Sequence, residues 1–340
     1  MRALVIGGTG FIGLNLVDAL IAHGDSVRVT RRKRSATILL QGRPVELVDG
    51  SLEEPEKLAR AMTGCDVAFL TGAYYPRYSI DLEASLAEGV GGVRNACEAA
   101  RMSGLPRLVY TSTIATLARA PADRPADERD IAAERPAGSV YRAVKWAMQR
   151  EVELARQRGL DVVTMLPGGC VGPWDVRLGT GSVIVGVIRA ALPWWVDGIV
   201  NLVDVRDVAR AHVAAATRAT ADRYCLAGHD VRVGWLLRHI ASRYGGRVPD
   251  LQLSPDEART RSDADEREAA PHRRRVAVPR ELVDMATSGQ CVSSARARSQ
   301  LGVELSSLDG ALDRAHDWFV RHGYLPRTNT RARTDENRTK

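Results

Sequence analysis

A chain of 340 residues that is 45% apolar can bury a core large enough for one sizeable domain or two closely joined ones, which excludes general disorder. Its net charge of +7 invites a nucleic-acid reading, but only Lys33, Lys57, Lys145 and Lys340 of the 48 basic residues are lysines. Arginines alternate with acids along most of the chain and no nucleic-acid motif accompanies them, so the charge excess is compositional and no nucleic-acid partner is expected.

The first elements lie in MRALVIGGTGFIGLNLVDAL, where residues 3–6 read as a buried strand and 11–23 as a helix. Gly7, Gly10 and Gly13 form G-x-x-G-x-x-G on the turn between them. Glycines at that place allow a tight turn, close backbone approach to a pyrophosphate and close helix-on-strand packing, with free N–H groups facing the phosphates. A bound dinucleotide is therefore expected.

Further strands are expected at 26–30, 45–48, 67–70, 108–111 and 162–166, with helices at 54–62, 82–102 and 141–158. This alternation predicts an α/β fold, a Rossmann-type doubly wound parallel sheet with helices on both faces. After Pro167 the pattern loosens around Pro173, Trp174, Pro193, Trp194 and Trp195, then residues 205–218 read as a helix and 223–226 as a strand. Residues 254–275 read as a charged, mobile or variable connection with some helix, and 292–301 and 308–323 as two closing helices. The division expected is a dinucleotide-binding domain at 1–166, to which 199–226 return, a smaller, mostly helical substrate-binding part at 167–198 and 227–325, and a disordered tail at 326–340. No segment suits a membrane span and no apolar leader precedes the first strand, so a cytoplasmic protein is expected. Five cysteines, Cys65, Cys97, Cys170, Cys225 and Cys291, are scattered, without metal spacing to any histidine, so neither disulfides nor a metal are expected.

Three stretches carry chemistry. The second strand ends in SVRVTRR, where Arg31 and Arg32 suit a ribose 2′-phosphate, and the one nearby acid in sequence, Asp25, precedes the strand. NADP(H) is thus favoured over NAD(H). In YRAVK, Tyr141 and Lys145 share one helix face, so that the ammonium stabilises the phenolate and brings the phenol toward the working pH range. Before it, LVYT runs into Ser112 and Thr113 at the carboxyl end of a central strand, where a hydroxyl can donate to a substrate oxygen.

In this order the motifs GGTGFIG, YTSTIATL, YRAVK, PGGCVGP and NLVDVRDVARAHVAA resemble the extended short-chain dehydrogenase/reductases (the NAD-dependent epimerase/dehydratase family) over about residues 1–325. Within it the chain looks most like the dihydroflavonol 4-reductase-like and hopanoid-associated sugar epimerase-like bacterial branch. The resemblance implies that Tyr141 and Lys145 are catalytic and selects Thr113, with Ser112 beside it, as the polarising hydroxyl. It also implies cofactor contacts from Gly7, Thr9, Gly10, Phe11, Ile12, Gly13, Arg31, Arg32, Ser51, Leu52, Thr71, Gly72, Ala73, Thr111, Tyr141, Lys145, Pro167, Gly168 and Cys170.

Departures from the family pattern matter too. Ser51 stands where an adenine-binding carboxylate is usual, Gly89 replaces an asparagine, and Val200 stands where sugar epimerases carry an arginine for the diphosphate. Tyr74, Tyr75, Tyr78, Trp174, Trp194 and Trp195 are candidate pocket walls with few fixed charges, Arg77 and Arg177 excepted. An NADP-dependent ketone or aldehyde reductase, or secondary-alcohol dehydrogenase, acting on an apolar or aromatic small molecule is expected. A sugar epimerase or dehydratase with transient hydride transfer is the alternative, and a non-catalytic dinucleotide sensor is disfavoured because both Tyr141 and Lys145 are present. The sequence leaves a homodimer open.

Overall fold

Residues 1–32, 35–76 and 78–326 are described by the structure, a computed structural model. The chain begins β1 (Arg2–Ile6), α1 (Phe11–Ala22), β2 (Ser26–Arg31), β3 (Val45–Asp49), α2 (Pro55–Met62), β4 (Val67–Leu70), α3 (Leu82–Ser103), β5 (Leu108–Thr111), α4 (Val140–Gln157) and β6 (Val162–Pro167). Then follow β7 (Gly169–Val171), α5 (Gly181–Ile188), β8 (Trp195–Val196), β9 (Ile199–Asp204), α6 (Val205–Arg218), β10 (Arg223–Leu226), β11 (His229–Arg232) and α7 (Val233–Tyr244). The chain closes with β12 (Gln252–Leu253), α8 (Pro255–Ala269), α9 (Arg280–Ser288) and α10 (Leu308–Arg321).

Seven strands form one parallel sheet in the order β3-β2-β1-β4-β5-β6-β10. Its inner strands β4, β5 and β6 are buried at every residue, as a sheet covered on both faces requires, whereas the edge strand β3 is half solvated. α1 and α6 pack on one face, with Leu16, Val17, Val208 and Ala211 in a common core. α2, α3 and α4 cover the other through Leu58, Val93, Ala96, Val144 and Met148. The sheet is doubly wound, as the strand and helix alternation requires.

Strand order reverses between β1 and β4, and there the backbone admits no side chain. Gly7 has φ of 91°, and a Cβ on Gly72 would lie 2.6 Å from the Gly7 Cα. A Cβ on Gly13 would lie 2.2 Å from the Gly7 carbonyl oxygen. The glycine turn and the segment after β4 therefore touch backbone to backbone, which opens the crevice at the carboxyl ends of the strands.

A smaller layer sits over that edge. β7, β9 and β11 form a three-stranded sheet, β8 pairs with β12, and α5, α7, α8, α9 and α10 pack around them. Of residues 199–226, only β10 joins the large sheet, with α6 on its face; β9 pairs with β7 and β11 instead. The charged stretch 254–275 is more helical than expected: most of it is α8, capped by reciprocal Ser254 and Glu257 bonds, with Glu266 buried. Residues 292–301 form the expected helix in part: Val292 bridges to Ala126 in extended conformation and Ser294 accepts from the Ala227 amide, after which residues 295–301 are helical, with a π-helical stretch at Ala297–Leu301. The tail expected at 326–340 lies outside the described residues apart from Pro326.

Replacing Gly72 by alanine is expected to destabilise the protein by about 1–3 kcal/mol, because the new methyl meets backbone that cannot swing aside. Thermal unfolding of Gly72→Ala beside wild type checks this, and an unchanged Tm contradicts the close approach.

Candidate active site

Tyr141 and Lys145 lie one turn apart at the start of α4, whose first turn is capped by the Ser139 hydroxyl. Both are 7% exposed. The Lys145 Nζ donates to the Tyr74 carbonyl at 2.8 Å and lies 5.9 Å from the Tyr141 ring centre and 5.8 Å from that of Tyr75. Gly89 on α3 explains how α4 comes so close: a Cβ there would stand 3.0 Å from Val144 and 3.1 Å from the Met148 sulfur. The missing asparagine is thus replaced by tight helix packing directly behind the pair.

Thr113, two residues after β5, stands near enough to the Tyr141 phenol to oppose the rise of its pKa, and its Oγ1 accepts from the Ala115 amide at 3.2 Å. Ser112 is not brought to the tyrosine. Its hydroxyl donates to Gln149 Oε1 at 2.6 Å, inside the packing of α4 against β5. Thr111 likewise faces away, bonded to His212 Nε2 at 2.8 Å, while His212 Nδ1 lies 2.8 Å from the Val208 carbonyl.

At the pair, burial outweighs the help expected of the ammonium: burial, followed by repulsion from Glu281, drives the Tyr141 phenol well above its ordinary value, and Thr113 offsets only part of this. Burial also pulls the Lys145 ammonium down to about 8, against the attraction of Glu281. The reason is geometric, since the ammonium is spent on a backbone carbonyl in a dry environment rather than on the phenol oxygen.

Glu281, on the first turn of α9, escaped the sequence reading. It is 8% exposed and accepts a hydrogen bond from the Tyr75 hydroxyl, while the Tyr75 ring lies 5.5 Å from that of Tyr141. Burial pushes its carboxyl up to about 7, with the Tyr75 bond and Lys145 opposing. Nothing in its sequence neighbourhood, PRELVD, marks it, because its partners are about 140 and 200 residues away.

The residues expected around a dinucleotide surround the glycine turn. α1 starts at Gly10 with no side-chain cap, so its first amides are free for an anion, and Thr9, Gly10, Phe11 and Ile12 are partly exposed beside it. The cradle fits a pyrophosphate. Thr71 donates to the Ile6 carbonyl at 3.0 Å, Gly72 touches Gly7, and Ala73 follows at the crevice edge. Pro167 and Gly168 end β6, where a Cβ on Gly168 would lie 2.3 Å from Asn201 Oδ1. Cys170 packs into the main core, its thiol toward the Gly168 carbonyl.

At the ribose end, Arg31 Nε donates to Asp49 Oδ1 at 2.9 Å, both side chains largely exposed. The acid nearest this corner is therefore Asp49, brought there by the pairing of Arg31 with Asp49 across β2 and β3, and not Asp25, which binds the amino terminus. Arg32 is exposed and Ser35 accepts from its amide; Lys33 and Arg34 lie outside the described residues. Ser51 accepts from the Glu53 amide, and the Leu52 carbonyl accepts from Asn95.

An apolar cleft opens between β7, α5, β9, α7 and α9, lined by Ile184, Trp194, Trp195, Leu236, Leu282 and Met285 among others. Val200 lines it too. Of the six candidate aromatics, Trp194 and Trp195 face this cleft and Tyr75 lies against Tyr141 and Lys145. Tyr74 bonds Ser85, Tyr78 donates to the Arg274 carbonyl, and Trp174 packs on Trp318 with the Arg43 guanidinium 4.7 Å from its ring centre. Those three are not walls of the cleft. Arg77 lies outside the described residues, and Arg177 is exposed.

Residues 3–234 match the model of the NAD dependent epimerase/dehydratase family, so the chain belongs to that family. It is an NAD(P)-dependent oxidoreductase of the extended short-chain type. A Synechocystis protein named "Putative dihydroflavonol 4-reductase" is 33% identical over 94% of this chain and 95% of its own length. Sterol demethylase protein B of Methylococcus capsulatus is 29% identical over 96% and 100%. Among solved structures, a nucleoside-diphosphate-sugar epimerase from Pseudomonas aeruginosa superposes with a TM-score of 0.80 at 26% identity, covering 96% of this chain and 99% of the other. Among the described residues no helix is long and apolar enough to cross a membrane.

A buried acid with a raised pKa favours its neutral form in the fold, so the stability it permits is complete below about pH 4.5 and is lost as pH rises through about 7. Glu281→Gln should thus unfold at a higher temperature than wild type at pH 8, with the difference shrinking toward pH 5. A difference independent of pH would mean that the carboxyl is not confined as described.

Proposed function

We propose that the protein is an NADPH-dependent reductase of a ketone or aldehyde carried on an apolar or aromatic small molecule. The observation that carries this reading is the conjunction of Thr113, Tyr141 and Lys145 at the carboxyl edge of the sheet with an apolar cleft in the layer above. A bound nicotinamide supplies the hydride. The glycine turn would hold its pyrophosphate, with Arg32 at the 2′-phosphate, Lys145 at the nicotinamide ribose, and Pro167 and Gly168 beside the ring.

Tyr141 then carries the proton. A phenol whose ionisation is suppressed by burial is a poor base for oxidising an alcohol, but it keeps its proton until an alkoxide develops next to it. A protonated Tyr141 is the form that serves carbonyl reduction. Thr113 orients the phenol and shares in polarising the carbonyl oxygen. Lys145 holds positive charge nearby, which favours the phenolate left after transfer. The nearly unbroken aliphatic and indole lining of the cleft suits a neutral apolar body, because a charged one without paired groups costs several kcal/mol to bury. Relatives named as a dihydroflavonol 4-reductase and a sterol demethylase protein point to substrates of that character.

A second reading, a nucleotide-sugar epimerase that returns its hydride, draws on the Pseudomonas structure. Against it stands Val200, an aliphatic residue paired with Val231 where a diphosphate-binding cation would be needed. Micromolar binding of a uridine diphosphosugar in a calorimetric titration would favour the epimerase.

Tyr141→Phe is expected to bind NADPH nearly as wild type does and to lose roughly 10²- to 10⁴-fold in turnover of bulky hydrophobic ketones, followed by NADPH absorbance. Full activity in this variant would overturn the mechanism. NADPH should bind more tightly than NADH, and Arg32→Ala should narrow the gap, since each charge-assisted bond contributes about 1.5–3 kcal/mol. Equal affinities in wild type would remove the NADP assignment.

A further inference from the structure

The acid nearest the catalytic pair belongs to no motif. Glu281 comes from α9, in the layer that forms the cleft, and the residues just after it, Leu282, Val283, Met285 and Ala286, are cleft walls. Its carboxyl acts on both Tyr141 and Lys145, and Tyr75, itself 54% exposed, turns its hydroxyl inward to reach it. The one hydrogen bond among described residues that the carboxyl receives is thus from a phenol on a surface segment. A neutral hydroxyl is what this position accommodates. An anion would meet a like charge in a dry pocket with Lys145 already committed to the Tyr74 carbonyl.

We propose that Glu281 is a specificity-determining residue, whose carboxyl makes the reacting end of the pocket accept carbonyl compounds bearing a neutral or hydrogen-bond-donating substituent next to the carbonyl and reject those bearing a carboxylate there. A substrate hydroxyl takes the place of the Tyr75 hydroxyl, so one hydrogen bond is exchanged for another. A substrate carboxylate cannot make that exchange. This rests on the reductase reading and sharpens it from apolar ketones to neutral ones with a donor beside the reacting carbon.

Groups facing the carboxyl come from four elements: Tyr75 after β4, Tyr141 and Lys145 on α4, Glu266 on α8, and Asp284 on α9 itself. Glu266 is held by the Ser79 and Arg280 amides, and Asp284 by the Arg280 guanidinium at 2.9 Å. Glu281 is the member with its ionisation near neutrality, pushed up to about 7 by burial. Rejection of a carboxylate therefore strengthens as pH rises from 6 to 8, because the residue gains its charge in that interval. Steps common to all substrates, including any titration of Lys145, cancel in a ratio of two substrates.

The test measures kcat/KM with NADPH for acetophenone, 2-hydroxyacetophenone and benzoylformate, in wild type and Glu281→Gln, at pH 6, 7 and 8. The expected result in wild type is a benzoylformate-to-hydroxyacetophenone ratio that falls as pH rises. In Glu281→Gln the ratio should be higher at pH 8 by roughly tenfold or more and no longer follow pH. A ratio and pH course shared by wild type and variant would overturn the proposal while leaving the reductase reading intact. If wild type consumes NADPH with none of the three compounds, calorimetric binding of benzoylformate and 2-hydroxyacetophenone to the NADPH complex decides instead. There an unchanged preference in Glu281→Gln overturns the proposal, and a preference shifted toward benzoylformate upholds it even though the reductase reading has failed.

Discussion

A lysine ammonium removed from water is costly unless its charge is compensated, and around Lys145 the fold supplies that compensation. The Tyr74 carbonyl takes its hydrogen bond, the rings of Tyr75 and Tyr141 flank it within 6 Å, and Glu281 offers the opposite charge. The contributors come from three parts of the chain. The carbonyl and one ring belong to the segment after β4, the other ring to α4, and the carboxyl to α9. Burying this one charge thus requires that the parallel sheet and the layer above it be assembled together.

The segment after β4 is the link between them. At its start, Gly72 rests on Gly7, which fixes the crevice where a dinucleotide would lie. Further on, the Ser79 amide donates to Glu266 of α8, the same carboxylate that accepts from the Arg280 amide at the head of α9. Arg280 in turn pairs with Asp263 and Asp284 and donates to the Gly138 carbonyl just before α4. The highly charged stretch of α8 is therefore a fastening, since its buried acid orients the loop and the helix that between them cover the catalytic pair. Removing Glu266 would leave two backbone amides without their acceptor.

Legibility in the sequence follows how local the determining contacts are. Strands β1 to β6 and the helices between them are set by apolar runs and helical spacing over ten or twenty residues, and they appear in the structure within two residues of the expected ends. The Tyr141 and Lys145 pair is legible because one helical turn relates its members, and the glycine turn because its spacing is local. Contacts over long separations were not readable. Asp49 reaches Arg31 through strand register, Ser112 loses its hydroxyl to Gln149 through packing of α4, and Glu281 meets Tyr75 across 206 positions. The expected helix at 292–301 starts late for the same reason: Val292 bridges to Ala126, a partner invisible to periodicity, and the helical turns begin only at Ala295.

Dryness joins the proton chemistry to the choice of substrate. Excluding water from the α4 face raises the phenol pKa and keeps the proton on Tyr141, and the same exclusion strengthens every charge–charge interaction at the site. In such a place a carboxylate such as Glu281 is tolerated only because it has a phenol and an ammonium for company and is itself partly protonated near neutrality. A ligand that brought a further anion would have to find a cation, and Lys145 is already shared between a carbonyl and Glu281. A ligand that brings apolar surface for the cleft and a neutral polar group for the carboxyl disturbs neither balance. On the proposed reading, the burial that keeps the phenol protonated is also what narrows the compounds the site can serve.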